Sequence, residues 1–207
     1  MKILHGFTGS VATTLYPKIQ KAYKDHKHEA EYVVTKSAGY FGIKKHSQGV
    51  YFDEYEWMGY ETFKKVLHIE LVKNNDMFVI APLSANTLAK IANGICDNLL
   101  TCVARAWDFD KPFVVAPAMN TRMWEHPITK EHITKIKSWG IKVIEPVSKE
   151  LFCGDVGVGA MADISTIFES FGRKKVKCPY CIDGFQWVGD PCYGAEELVP
   201  CFNCKNV

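Results

Sequence analysis

Residues 112–124 read PFVVAPAMNTRMW, an apolar run that is bounded by prolines and followed by polar groups. The run through Val115 predicts a buried β-strand. Because Pro117 cannot donate a hydrogen bond to a neighbouring strand, the chain must leave the sheet at the strand's carboxyl end. Open α/β sheets bind ligands at that edge. Asn120 can donate and accept hydrogen bonds there and Met123 adds deformable apolar surface, so this stretch is predicted to form part of a ligand site.

The same succession of strand, turn and helix recurs through the first 144 residues. Strands are predicted at 2–7, 31–35, 77–81, 112–115 and 141–144, and helices at 11–23, 61–72, 99–106 and 127–139. Since strands that alternate with helices form a mostly parallel sheet covered on both faces, the sequence predicts an α/β, doubly wound fold. The segment 44–59 has no clear period and is predicted to be an ordered excursion held by its aromatic residues.

Small polar turns follow several of these strands, at Gly9-Ser10, Ser37, Ser84 to Thr87 and Ala118. In a parallel sheet these turns lie along one edge, where backbone N–H groups at helix starts can bind a phosphate. No His/Asp/Glu triad with metal-ligand spacing occurs among them. The turns therefore favour a planar cofactor that carries phosphate over a metal ion.

Length and composition exclude several classes of function. A chain of 207 residues with 47% hydrophobic content can bury one substantial core, with room for a small appendage. A net charge of +2 gives no basic field for nucleic acid. With no signal-like start and no long apolar run, we expect a cytoplasmic protein that binds neither membrane nor nucleic acid.

Four motifs, in this order, resemble those of the flavin-containing cysteine decarboxylases. They are TGSVA at 8–12, APLSANT at 81–87 with KIANG at 90–94 and DNLL at 97–100, PAMN at 117–120 with MW at 123–124, and CGD at 153–155 with GAMA at 159–162. The resemblance covers about residues 3–171. It implies a flavodoxin-like subunit that binds FMN and forms a homotrimer, or a multiple of trimers, with each active site at a subunit boundary.

The resemblance also assigns roles to individual residues. Asn120 would bind the substrate carboxylate, with Ala118 beside it and Met123 in a flap over the substrate. His68 would be the catalytic histidine and Cys153 a proton donor. From the residues alone, a lone helical histidine such as His68 is more often a surface or core residue than a catalyst. The alternative for Cys153 is a buried small hydrophobe, which its Gly154-Asp155 context does not favour. The residues implied to hold FMN are Gly9, Ser10, Val11, Ser37, Ser84, Ala85, Asn86, Thr87 and Ala118.

The implied reaction is decarboxylation of 4′-phosphopantothenoylcysteine to 4′-phosphopantetheine in coenzyme A biosynthesis, through thioaldehyde and enethiol intermediates. One alternative is a peptidyl-cysteine decarboxylase that stops at a C-terminal aminoenethiol. The Cys153 motif argues against it, because only the reductive half of the reaction needs that proton. Another alternative is a non-catalytic regulatory subunit that binds FMN and a partner protein.

Residues 173–207 depart from this family and are predicted to form a separate tail after a flavoprotein domain at 1–172. Five of the eight cysteines lie here. Cys178 and Cys181 form one pair and Cys201 and Cys204 another, which is the spacing of a zinc ribbon. We expect these four thiolates to bind one structural Zn²⁺, with Cys192 outside the ligand set, although a swap with one of the four stays open.

Overall fold

The computed structural model describes residues 1–150, 156–172, 185–188 and 197–200. The chain divides into two units, Met1–Ile167 and Phe168–Val207. The first unit contains the parallel sheet and every turn of the predicted ligand site, so the fold of this unit determines the geometry of that site.

The first unit alternates strands and helices. In chain order it contains β1 (Lys2–Phe7), a 3-10 helix (Val11–Leu15), α1 (Tyr16–Asp25), β2 (Glu29–Val34), a second 3-10 helix (Ala38–Phe41), β3 (Val50–Phe52), α2 (Glu54–Phe63), α3 (Leu67–Asn74), β4 (Met77–Leu83), α4 (Ala85–Ala92), α5 (Leu99–Ala106), β5 (Phe113–Pro117), α6 (Thr121–Trp124), α7 (Pro127–Ser138), β6 (Lys142–Val143), β7 (Val147–Glu150) and β8 (Val156–Ala160). Helix α8 (Ile164–Glu169) crosses the boundary between the two units.

Six strands form one parallel sheet in the order β3-β2-β1-β4-β5-β6. The order reverses direction next to β1, since the chain first moves outward through β2 and β3 and then returns to β4. Such a reversal opens a crevice at the carboxyl ends of the strands. The predicted α/β doubly wound fold is therefore confirmed.

The two faces of the sheet have different cores. His5 and Phe7 of β1 pack with the aromatic rings of Tyr16 and Tyr23 from α1 and its start. On the opposite face, a Cβ added at Gly6 would lie 2.8 Å from a methyl carbon of Leu100 in α5. Because both faces are covered, the strands read as continuous apolar runs, and all seven residues of β4 are buried.

The predicted helix at 61–72 is wrong, because two helices occupy this part of the chain. Lys64 has a φ of 53°, which ends α2, and the extended Val66 precedes α3. The apolar spacing of this segment fits one helix but carries no signal for the change of direction. The predicted excursion at 44–59 likewise contains the three-residue strand β3 and the start of α2.

The helix predicted at 99–106 is confirmed as α5, and its cap is resolved. The Asn98 side chain accepts a hydrogen bond from Thr101 N, while the backbone N–H of Asn98 donates to Thr101 Oγ1. This reciprocal capping box satisfies two backbone donors at the helix start.

The second unit contains a short 3-10 helix (Ser170–Gly172) and an antiparallel pair, β9 (Phe185–Val188) with β10 (Glu197–Pro200). The four cysteines predicted to bind zinc, and Cys192, lie outside the described residues. Their role therefore stays a prediction.

Candidate active site

A row of turns lies along the carboxyl edge of the sheet, and hydrogen bonds join the turns to one another. The hydroxyl of Thr8, at the end of β1, donates to Pro82 O at 2.8 Å and accepts from Ser84 N at 2.8 Å. Ala118 N, after β5, donates to Leu83 O at 3.0 Å. The turns after β1, β4 and β5 therefore form one connected rim.

The turn after β2 joins this rim through close contact with Gly9. A Cβ added at Gly9 would lie 2.6 Å from the Cβ of Ser37, which is closer than real Cβ contacts allow. Only glycine fits here without moving the neighbouring turn. The close approach brings the segment of Ser10 next to that of Ser37, as the sequence predicts.

Two helix starts point their backbone donors toward this edge. Ser10 precedes the 3-10 helix, and its hydroxyl makes no capping bond to it. Ser84 caps α4, because its Oγ accepts a hydrogen bond from Thr87 N at 3.4 Å. The same Oγ donates to Thr87 Oγ1 at 3.2 Å, and Asn86 in the first turn is exposed. Backbone N–H groups in a first helical turn lack partners within the helix, so this edge can bind an anionic group.

The turn that contains Asn120 is held by a hairpin formed by β7 and β8. Met119 N donates to Gly159 O at 2.9 Å, and a Cβ added at Gly159 would lie 2.3 Å from Met119 O. Asn120 Oδ1 accepts from Arg122 N at 2.9 Å, which caps the short helix α6. Met123 in α6 is 49% exposed, and its predicted position in a flap over the substrate stays a prediction.

Cys153 lies outside the described residues, in the segment that joins β7 to β8. Strands β7 and β8 pair in antiparallel fashion, and β8 contacts α6. The two strands that flank Cys153 in the sequence therefore form a hairpin that packs against the Asn120 turn. The predicted role of Cys153 itself stays a prediction.

His68 lies in the first turn of α3, and Glu56 of α2 holds it. Its Nδ1 is 2.8 Å from Glu56 Oε1, and its backbone N–H donates to Glu56 Oε2 at 3.0 Å. Helix α3 returns the chain to the start of the parallel strand β4, so its first turn lies at the same edge as the row of turns. In the described part of the chain, no direct hydrogen bond joins His68 to the row.

A neutral histidine lies beneath the row. The carbonyl of Ala81 can only accept, so His5 Nε2 donates to it at 2.7 Å, and Nδ1 accepts from Tyr23 Oη at 2.7 Å. Burial lowers the pKa of His5 to about 4, although the hydrogen bond to Ala81 opposes the shift. His5, which supports the end of β4 through Ala81, is therefore uncharged at neutral pH.

Near the end of β3, Asp53 links the outer part of the sheet to α5. Its Oδ1 accepts from Leu99 N at 3.0 Å. Burial raises the pKa of Asp53, and the hydrogen bond from Leu99 counters part of that shift. The contact fixes the start of α5 at the carboxyl edge.

A family model described as Flavoprotein matches residues 1–174 of the chain. The chain belongs to this family. A phosphopantothenoylcysteine decarboxylase of Malus domestica is 47% identical over 174 residues, which cover 82% of this flavoprotein and 80% of the relative. A second one, from Glycine max, is 59% identical over 122 residues, which cover 58% of the flavoprotein and 57% of the relative. The match thus spans little more than half of that relative's length.

Solved structures agree with these relatives. A mutant PPC decarboxylase complexed with pantothenoylaminoethenethiol has a TM-score of 0.76 and 46% identity, with 82% of the flavoprotein and 95% of that chain covered. The FMN binding protein AtHal3 has a TM-score of 0.73 and 46% identity, with coverage of 82% and 94%. Both matches support the flavodoxin-like architecture predicted from the sequence.

The structure brings together most of the residues that the sequence predicts, and it adds two. The segments of Gly9, Ser37, Ser84 and Ala118 meet at one edge, whereas His68 lies in the helical layer beside it. Sequence reasoning gave no role to Thr8 or Glu56. Thr8 stands directly before the Gly-Ser turn, and this position could have identified it from the sequence. Glu56 is 12 residues from His68, and no sequence pattern indicates that the two side chains meet.

Among residues 1–150, 156–172, 185–188 and 197–200, no group of three or more His, Cys, Asp and Glu side chains could hold a metal ion. Among the same residues, no helix has the length and apolar character needed to span a bilayer.

Proposed function

We propose that the protein is an FMN-dependent decarboxylase that converts 4′-phosphopantothenoylcysteine to 4′-phosphopantetheine in coenzyme A biosynthesis. The observation that carries this proposal is the similarity to phosphopantothenoylcysteine decarboxylases, at 47% identity over 82% of the chain in one case. The positions of the predicted site residues along one edge of the sheet support it.

The row of turns fits FMN in the chemistry of its donors. The backbone N–H groups at the start of the 3-10 helix and of α4 suit a phosphate. The Ser10 hydroxyl, which caps no helix, and the exposed Asn86 add polar groups nearby. When bound, FMN would supply the two-electron acceptor that an N-acyl cysteine needs before it can lose CO₂, because its α-carbon has no electron sink.

Three residues of the chain would act on the substrate. The cap contact with Arg122 N orients the amide of Asn120, whose NH₂ group is a donor for the substrate carboxylate. His68 would accept the proton that the substrate thiol loses while its side chain is oxidised. Cys153 would donate a proton to carbon in the final reduction.

The experiment that tests the proposal is incubation of the purified, flavin-loaded protein with 4′-phosphopantothenoylcysteine. We expect CO₂ and the saturated product 4′-phosphopantetheine. Release of the unsaturated aminoenethiol would instead favour the peptidyl-cysteine class of reaction. Flavin-loaded protein that releases no CO₂ would refute the enzymatic proposal and leave the regulatory subunit.

The role of Cys153 has a test of its own. A Cys153→Ser variant should release CO₂ from the substrate but accumulate the enethiol, because the last proton transfer is lost. An unchanged yield of saturated product would remove Cys153 from the mechanism. A Cys96→Ser variant is the matched control, since Cys96 is an exposed free cysteine in the loop between α4 and α5.

We also propose that the subunit assembles as a homotrimer or a multiple of trimers. The support is the resemblance stated above, in which each active site lies at a subunit boundary. Light scattering on the purified protein should give a mass that is a multiple of three subunits, and a monomer or dimer with full activity would exclude this assembly.

For the tail, we propose one structural Zn²⁺ bound by Cys178, Cys181, Cys201 and Cys204. The support is the spacing of the two pairs, and a reducing cytoplasm, where we place the protein, would keep these thiolates available. Metal analysis of protein prepared under reducing conditions should find one zinc per chain. Its absence would refute the site, and truncation after Gly172 tests whether flavin binding depends on the tail.

A further inference from the structure

The carboxylate of Glu56 contacts one histidine at two points. Oε1 meets His68 Nδ1 at 2.8 Å, and Oε2 accepts from the His68 backbone N–H at 3.0 Å. The side chain of Glu56 is 16% exposed and that of His68 is 25% exposed. Contact through both oxygens leaves the carboxylate little freedom to rotate, and it fixes the ring relative to its own backbone.

This arrangement determines which ring nitrogen carries the proton. An ionised carboxylate can only accept, so Nδ1 of a neutral His68 must be the donor and Nε2 the acceptor. Nε2 lies on the side of the ring that faces away from Glu56. A histidine whose second nitrogen is held by a carboxylate has one fixed tautomer and one fixed orientation.

We propose that Glu56 is a positioning residue, which holds His68 with Nε2 as the proton-accepting atom for the substrate. This inference rests on the proposed decarboxylase function, in which His68 is the catalytic histidine. Glu56 acts through the imidazole, and it is not assigned any contact with the substrate or the flavin.

Glu56 could also stabilise α3 without any effect on the His68 ring. Val66 precedes α3 and makes no side-chain cap, so the Oε2 contact of Glu56 serves as a cap for this helix. The Oε1 contact with Nδ1 contributes nothing to capping. Readouts of the imidazole itself therefore distinguish positioning from helix stabilisation.

The test compares Glu56→Gln with Glu54→Gln. Glu54 lies in the same first turn of α2 but pairs with Lys45 at the surface. Glutamine at position 56 keeps the size of the side chain and loses one of the two acceptor oxygens. We expect flavin reduction by substrate to slow at least about 10–100-fold in Glu56→Gln, the range observed when the carboxylate behind a metal-bound histidine is replaced, with KM changed less than about twofold. Glu54→Gln should match the wild type.

Two further measurements make the outcome decisive. In ¹⁵N NMR spectra of neutral His68, the wild type should carry its proton on Nδ1, and Glu56→Gln should shift toward the Nε2 form. The double variant Glu56→Gln/His68→Asn should reduce flavin no more slowly than His68→Asn alone, because the carboxylate acts through the ring.

The inference is overturned if Glu56→Gln keeps the wild-type tautomer, or if its effect adds in full to that of His68→Asn. An increase in KM alone, with an unchanged rate of flavin reduction, would also overturn it. The NMR readout needs no turnover. A wild-type protein that fails to decarboxylate therefore refutes the proposed function, while the tautomer still decides the role of Glu56.

Discussion

Replacement of Thr8 by valine should disconnect the turn after β1 from the turn after β4. The Thr8 side chain is fully buried, and its hydroxyl bonds both Pro82 O and Ser84 N at 2.8 Å. Valine has nearly the same shape but leaves one buried acceptor and one buried donor unpaired. Each such group costs about 1–3 kcal/mol. The added methyl returns about 1 kcal/mol, so the free energy of unfolding should fall by roughly 1–5 kcal/mol.

The assay is urea unfolding of the wild type, Thr8→Val and Thr8→Ser, each with and without FMN. Serine keeps the hydroxyl and loses only a methyl group, so its loss should stay near about 1 kcal/mol. Thr8→Val should also bind FMN more weakly, measured by quenching of flavin fluorescence, because the β4 turn loses its support. If Thr8→Val unfolds within about 0.5 kcal/mol of the wild type and binds FMN equally well, the connected rim does not stabilise the site.

Three more predictions follow from single contacts. The pKa of His5 is lowered to about 4, so between pH 4 and 6.5 the unfolded chain binds more protons and stability rises with pH. Urea unfolding of the wild type relative to His5→Gln should show this rise, about 3 kcal/mol in all, and a parallel pH dependence in the two proteins would contradict it. Gly159→Ala should destabilise far more than Gly140→Ala, because both positions have positive φ but only Gly159 has a backbone atom, Met119 O, within 2.3 Å of an added Cβ; equal midpoints in urea would disprove the close contact. Asn98→Ala should cost about 1 kcal/mol through loss of the α5 cap, and an unchanged thermal midpoint would remove that contribution.

The sheet and its row of turns could be predicted from the sequence, because both depend on local patterns. A buried parallel strand reads as an apolar run, as in β4, and a small polar turn follows it. Once strands alternate with helices, the carboxyl ends of the strands must share an edge. We can therefore predict that the segments of Gly9, Ser37, Ser84 and Ala118 meet at one edge, without knowing any side-chain contact.

The remaining features depend on contacts that no local pattern records. Whether Glu56 meets His68 is decided by the break at Lys64, where a positive φ turns the chain between α2 and α3. The apolar spacing of 61–72 predicts a helix straight through that break. The two hydrogen bonds of the Thr8 hydroxyl likewise join residues that are 74 and 76 positions apart, a distance at which sequence period gives no information.

The hairpin of β7 and β8 is attached to the rest of the molecule by strand β8, through Gly159 and Met119. At this contact Met119 N donates to Gly159 O at 2.9 Å, and a Cβ added at Gly159 would lie 2.3 Å from Met119 O. In protein engineering terms, Gly159 is a fixed joint: it has to remain glycine in any variant library that is meant to keep the hairpin seated on the turn of Asn120.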